Sequence, residues 1–277
     1  MTWRIVTDSS CDLPFSTLEG VATLSKVPFY INIEDQEYID NDEMNLTEML
    51  DAMESSKEIS RTSCPSPGTW YKEFEQADCV LAITISKELS GSYNSAIAAQ
   101  KMLEGEHPDK KVFVLNSRSA GSALSMLVQK ANALINEGAS FEKLVQEIQA
   151  YNYSLNTIFG LLSFNNLIKN GRMSKLTGFI ATKLNFTGIG VASPEGEIVV
   201  KGKARGTKKL VDAFLKDMEE NSFHQGMVTI SHCQNEKLAH SLAGAIMAKW
   251  PQADVQLMET RGLCSFYAER GGLIMAY

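Results

Sequence analysis

The sequence predicts an α/β protein with a parallel sheet buried on both faces in its N-terminal part and a mixed sheet with helices on one face in its C-terminal part. Two observations carry that prediction. Up to about residue 153, short β-branched apolar runs alternate with helical patterns, which is the rhythm of βαβ units. Beyond it, a hairpin signal breaks the alternation, so strands of opposite direction must share one sheet. The change of rhythm places a domain boundary near residue 153 and divides the chain into 1–153 and 154–277. No Pro-, Gly- or Ser-rich linker marks that boundary, so the two parts are expected to pack tightly.

The elements follow in order. Strands are expected where apolar runs stop at turn residues: Arg4–Thr7, Lys26–Ile31, Cys79–Ile85 and Lys111–Leu115. Helical periodicity covers 46–55, 67–76, 91–104, 119–136 and 141–150. Thr157–Leu162 is then a strand, and 164–170 and 175–184 are helices. Gly188–Ala192 and Ile198–Val200 flank Ser193-Pro194-Glu195-Gly196, which is the hairpin. Helix 206–221, strand 226–231, helix 236–249, strand 254–259 and strand Gly272–Ala276 complete the chain.

Composition bounds the function. A chain of 277 residues with 44% hydrophobic content can bury a sizeable core. A net charge of −7 argues against a nucleic-acid footprint, which is normally basic. The five cysteines are scattered, odd in number and without a CxxC pair, so they read as reduced thiols of a cytoplasmic protein. The start runs straight into a strand with no signal-like segment, and no apolar run is long enough to span a bilayer. No stable membrane insertion is expected.

Two hydroxyl-rich loops are the sharpest local feature. Thr62-Ser63-Cys64-Pro65-Ser66-Pro67-Gly68 precedes one helix, with Ser66 as the expected N-cap and Pro67 in its first turn. Leu89-Ser90-Gly91-Ser92-Tyr93 opens another, just past a strand end where a parallel sheet exposes its ligand crevice. Helix starts offer unpaired N–H donors and partial positive charge, and Gly91 permits close backbone approach. Brought together, Thr62, Ser63, Ser90, Gly91 and Ser92 would hold a small anion without a catalytic base. Equally, Thr62 and Ser63 would only close a turn, and Ser90 would only cap its helix.

Two basic segments stand out. Lys169-Asn170-Gly171-Arg172-Met173-Ser174-Lys175 is a turn in which Arg172 can fork onto a carboxylate or phosphate, or a solvated surface. Lys201-Gly202-Lys203-Ala204-Arg205-Gly206-Thr207-Lys208-Lys209 is a solvated face or a docking element for an acidic partner. The histidines His107, His224, His232 and His240 form no metal-ligand pattern, and no GxSxG elbow or P-loop is found. No metal or cofactor is implied. Asp8 reads best as a structural tie between loops, and Cys64 as a neutral thiol. The enzymatic alternative is a hydrolase or transferase that uses Asp8 and Cys64 on an anionic substrate. A third reading is a lipid-responsive regulatory protein acting through 201–209.

Taken in order, Thr7-Asp8-Ser9-Ser10-Cys11-Asp12-Leu13-Pro14, the two hydroxyl loops, Asn116-Ser117, Asn170-Gly171-Arg172-Met173-Ser174 and Arg205-Gly206-Thr207-Lys208-Lys209 resemble the DegV family along essentially the whole chain. The resemblance implies an N-terminal three-layer α/β/α domain and a C-terminal two-layer α/β domain. It implies a long-chain fatty acid held between them, with no catalysis of the protein's own. Family members of one kind hand that acid to an ATP-dependent fatty-acid kinase, whose acyl phosphate feeds phospholipid synthesis. The family's carboxylate-binding hydroxyls map onto Thr62 and Ser90, its head-group arginine onto Arg172, and its kinase-facing cations onto Arg205 and Lys203. Two departures stand out: Cys64 where many members carry Gln, and Ala268 where kinase-coupled members carry His. Phe159, Leu161, Leu162, Phe164, Ile180, Leu184, Phe186 and Ile189 are the expected tunnel lining.

Overall fold

Three sheets organise the chain in the computed structural model, which describes residues 1–14, 18–173 and 186–277. The first part runs β1 (Trp3–Asp8), β2 (Thr23–Val27), β3 (Tyr30–Ile33), β4 (Gln36–Ile39), α1 (Leu46–Ser55), β5 (Arg61–Ser63), α2 (Pro67–Phe74) and β6 (Cys79–Thr84). It continues through α3 (Ser92–Glu106), β7 (Lys111–Asn116), α4 (Ser122–Asn136) and α5 (Phe141–Ser154). Then come β8 (Thr157–Leu161), α6 (Asn165–Lys169), β9 (Phe186–Ala192), β10 (Ile198–Arg205) and α7 (Thr207–Glu220). The chain closes with β11 (Gly226–His232), α8 (Glu236–Lys249), β12 (Ala253–Glu259), α9 (Gly262–Ala268) and β13 (Leu273–Ala276). The expected helix 175–184, with Ser174, Ile180 and Leu184, lies outside the described residues.

The first sheet is parallel, in the order β2-β1-β6-β7. Its strands are buried on both faces, and their period of two sorts side chains into two cores. Ile5, Leu81 and Ile83 meet Leu124, Leu127 and Leu144 of α4 and α5. Their neighbours Val6, Val80 and Ala82 meet Trp70, Phe74 and Leu103 of α2 and α3. The predicted α/β/α layering follows directly from that alternation.

The second sheet is mixed, in the order β10-β9-β8-β13-β11-β12, with only the β11–β12 pair parallel. The expected hairpin is the β9–β10 pair. Helices α7 and α8 cover one face through Leu210, Phe214 and Leu242. The opposite face looks back at the N-terminal elements, where Phe159 and Leu161 pack with Ile31, Met49 and Phe266. Helix α4 is buried along most of its length and touches strands of both sheets.

The third sheet, antiparallel β4-β3-β5, corrects the expectation of one strand over Lys26–Ile31. That run breaks at Pro28, which has no N–H to give a ladder. On either side, the Ser9 N–H donates to Val27 O at 3.0 Å and the Phe29 N–H donates to Ser9 Oγ at 2.9 Å. Leading up to this bend the chain pairs with β1; beyond it, with β4 and β5. Thr62 and Ser63, expected in a loop, therefore sit on a short strand. Helix α9 was also absent from the sequence expectation.

The β9–β10 turn locks the two parts together. Ser86 Oγ donates to Gly196 O at 2.7 Å, and Arg118 Nη1 donates to Pro194 O at 2.7 Å. Gly196 has φ +97°, and a Cβ there would lie 2.3 Å from Ser86 Oγ and 2.8 Å from Arg118 Cα. Replacing Gly196 with Ala is expected to cost about 3 kcal/mol, from the backbone conformation and overpacking together. Gly202→Ala, which meets nothing within 4 Å, is expected to cost less than about 1 kcal/mol. Urea unfolding of the two variants checks this; equal losses would contradict the packing described.

Candidate ligand-binding site

Asp8 ends β1 fully buried and organises the loop after β6. Its Oδ2 accepts the Ile85 N–H at 3.0 Å and the Ser92 hydroxyl at 2.7 Å, while Oδ1 accepts from Ser10. Burial pushes the carboxyl above its ordinary range, and the bonds from Ser10, Ser92 and Ile85 pull it back. This is the structural tie expected of Asp8. It also commits the Ser92 side chain, fully buried, to Asp8, so Ser92 offers a ligand no hydroxyl.

Ser90 is left differently. Its Oγ accepts the Ser92 N–H at 3.2 Å, so its own O–H remains free to donate. Gly91 precedes α3, and its N–H has no acceptor among the described residues. The two hydroxyl loops do meet: a Cβ on Gly91 would lie 3.3 Å from Cys64 Sγ. Ser66 caps α2 as expected, accepting the Thr69 N–H at 3.2 Å.

Strand alternation decides the roles on β5. Thr62 turns inward while Arg61 and Ser63 are exposed, and Ser63 does not line the cavity described below. Thr62 Oγ1 shares a 2.8 Å hydrogen bond with Tyr267 Oη. One hydroxyl of the pair donates within it, so the other keeps a free O–H. Burial pushes the Tyr267 phenol up, against the Thr62 bond and the nearby Arg172 cation, so it stays neutral.

Tyr267 is a residue of this candidate site that the sequence does not point to. It rides on α9, whose first turn is capped from outside: Asp40 Oδ1 accepts the Gly262 N–H at 2.9 Å and Oδ2 the Leu263 N–H at 2.8 Å. A Cβ on Gly262 would lie 2.6 Å from Asp40 Oδ1, so glycine is what lets the carboxylate reach. The aromatic pair Phe266-Tyr267 was the available signal, but nothing local marks a helix whose cap is more than two hundred residues away.

Arg172 arrives through a Schellman ending of α6. The Arg172 N–H donates to Leu167 O at 2.8 Å and the Gly171 N–H to Ile168 O at 3.1 Å, with Gly171 at φ +73°. The guanidinium then spans to the second loop, where Nε donates to Leu89 O at 3.1 Å, and Nη1 donates to Asn170 O. Arg172 thus stands beside Ser90, as the sequence required if both serve one ligand.

These groups edge a cavity of about 820 Å³, open space at its mouth included, with otherwise largely apolar walls. It opens at the C-terminal edge of the parallel sheet, near the β1–β6 switch point. Thr62, Ser90, Arg172 and Tyr267 line one region of it; Phe159, Leu161, Ile198 and Ile274 line its wall on the mixed sheet. The Phe159 ring fills the space left by Gly190, where a Cβ would approach it to 2.3 Å. Of the other expected lining residues, Leu162 is exposed, Phe164 packs in the neighbouring core, and Ile189 faces α7. Phe186 lies under the exposed cations Lys203 and Arg205 instead. Ala268 lines the cavity and is buried.

Cys64 packs with Phe29, Leu89 and Tyr267, and among the described residues no histidine lines the cavity. All five cysteines are free thiols. Among the described residues, no helix is long and apolar enough to cross a membrane.

Fold and site together define an α/β protein with a largely apolar cavity that also presents Thr62, Ser90, Arg172 and Tyr267. The chain belongs to the DegV family: the model described as "Uncharacterised protein, DegV family" matches residues 2–276. A DegV domain-containing protein of Streptococcus pneumoniae is 40% identical over 280 residues, covering 100% of this chain and 99% of that protein. The Streptococcus pneumoniae fatty acid kinase B3 protein, solved with linoleic acid, superposes with a TM-score of 0.96 at 39% identity, covering 100% of this chain and 99% of the other. A DegV family protein of Eubacterium eligens loaded with heptadecanoic acid gives 0.95 at 35% identity, covering 99% and 98%.

The buried carboxylates set a pH dependence. Asp12 accepts the Arg261 N–H at 2.8 Å through Oδ1, while Oδ2 has no hydrogen-bond partner among the described residues, and burial pushes the carboxyl up to about 6. A folded-state value above the unfolded one means stability present at low pH and lost as pH rises from about 4 through about 6. Asp12→Asn, which holds the group neutral, is expected to match the wild type near pH 4 and exceed it by up to about 3 kcal/mol near pH 7. Denaturant unfolding across that range checks it; a difference independent of pH would contradict it.

Proposed function

We propose that the protein is a non-catalytic carrier of a long-chain fatty acid, which it holds between residues 1–153 and 154–277 as two domains. The carboxylate is bound by Thr62 and Ser90, and the acyl chain lies along Phe159 and Leu161. The observation that carries this is the gathering of neutral donors along one apolar cavity: the free O–H of the Thr62–Tyr267 pair and the Ser90 O–H, beside Arg172. A carboxylate removed from water must be hydrogen-bonded, and these groups supply that without a counter-charge in direct contact. Burying a 16-carbon chain contributes on the order of 10 kcal/mol at about 0.8 kcal/mol per methylene. Association costs offset a large share of it. The relatives solved with linoleic and heptadecanoic acid support the same occupant.

Presentation of the head group to an ATP-dependent fatty-acid kinase is the second part of the proposal. Lys203 and Arg205 project from β10 over Phe186, exposed, and suit an acidic partner surface. The enzymatic alternative finds little support, because Asp8 is consumed in structural bonds and, among the described residues, no histidine lines the cavity beside Cys64.

Protein purified from a bacterial host is expected to carry near-equimolar fatty acid by mass spectrometry of a denatured extract. Thr62→Ala with Ser90→Ala should weaken binding by roughly 1–3 kcal/mol per lost charged hydrogen bond. An extract free of acyl acid, or a double variant with full affinity, would count against the site. Arg205→Ala is expected to abolish capture of a fatty-acid kinase while leaving lipid content unchanged; lost lipid instead would make Arg205 a structural residue.

A further inference from the structure

We propose that the hydrogen-bonded pair Ser119–Thr157 is the stop that sets how long an acyl chain the cavity accepts. This presupposes the acyl occupancy argued above. Strand β8 runs along the cavity, with Thr157, Phe159 and Leu161 on its inner face and Ile158 on the other. Leu161 leads into α6 and Arg172, the polar end. Thr157 is about 13 Å from Leu161 along the strand, and we place the end of the acyl chain there. There Ser119 Oγ and Thr157 Oγ1 share a 2.7 Å hydrogen bond, and both residues are buried.

Behind the pair lies a second cavity, also of about 800 Å³, and polar in character. Ser119, Thr157 and Ala192 line both cavities and form the partition between them. The far side presents Arg118, Asn152, Asn156, Lys201 and Asp217. A methyl end pushed past the partition would break the hydroxyl pair and enter polar surroundings, gaining no apolar burial.

The partition is also stiff. Ser119 O accepts the Ser86 N–H at 2.8 Å and the Ser117 hydroxyl at 3.0 Å, and the Ser119 N–H donates to Ser117 Oγ at 3.1 Å. Arg118, just before it, is held at φ +56° by bonds from its guanidinium to Pro194 O and Asn152 O, both 2.7 Å. Thr157 is paired with Ala276 in the mixed sheet. A wall fixed from both parts of the molecule measures length, where a soft one would only resist.

The test uses the delipidated full-length chain and the saturated fatty acids from lauric to behenic, each competed against a fluorescent fatty acid. Wild-type affinity is expected to rise with each methylene to an optimum and then fall. Ser119→Ala with Thr157→Ala should move the optimum to a longer acid, raising the relative affinity for the acid two methylenes past the wild-type optimum about tenfold, because no hydroxyl pair is then broken. Ala192→Leu, which thickens the partition, should move the optimum to a shorter acid. Folded variants that keep the wild-type optimum and ratios would overturn the stop while leaving fatty-acid binding intact. A wild type that binds no member of the series would remove the acyl occupancy, and the stop with it.

Discussion

The Asp8 carboxylate joins the end of β1 to the start of α3. One oxygen takes the Ile85 N–H and the Ser92 hydroxyl, and the other takes Ser10. With that link in place the Ser92 hydroxyl is committed to Asp8, while Ser90, whose Oγ takes only the Ser92 N–H, lines the cavity. Arg172 reaches Leu89 in the same loop, and Cys64 brings the β5 segment against Gly91. Each later feature of the site takes its position from this loop. A buried carboxylate is a costly anchor, and burial raises its pKa accordingly. Its removal would leave the buried Ile85 N–H and the buried Ser92 and Ser10 hydroxyls without their acceptor, so the chemistry of the anchor and the order of the site cannot be separated.

The polar end of the cavity is built chiefly from hydroxyls. A hydroxyl pair such as Thr62–Tyr267 is satisfied when the site is empty and still has one proton to give when an anion arrives. A pair of bare cations would have to be desolvated in both states. Arg172, engaged with Leu89 O and Asn170 O, adds positive potential without being an unpaired charge. Such a site suits a ligand that must be both bound and released. The same device recurs at Ser119–Thr157, where two hydroxyls satisfy each other and close the apolar space without a charge.

Most of the scaffold was legible in the sequence. Helices 46–55 and 236–249 are read to the residue because long amphipathic periods dominate local alternatives. The parallel strands are equally clear, since runs such as Cys79-Val80-Leu81-Ala82-Ile83 suit only a doubly covered sheet. What stayed hidden is short and held by distant partners. Strand β5 has three residues and exists through its pairing with β3; α9 has seven and exists through Asp40. Thr62, Ser90 and Arg172, singled out from the sequence, line one cavity, whereas Ser63 and Ser92 were not separable from them. Which hydroxyl is free depends on strand phase and on Asp8, and neither is a local property. Tyr267 was missed for the same reason.

The most direct measurement is a crystal structure of the protein as purified from a bacterial host. An acyl chain along Phe159 and Leu161 is expected, with its carboxylate oxygens about 2.6–3.2 Å from Thr62 Oγ1 and Ser90 Oγ. An acyl carboxylate bound elsewhere, with Thr62 and Ser90 untouched, or a different molecule in the cavity, would contradict the account.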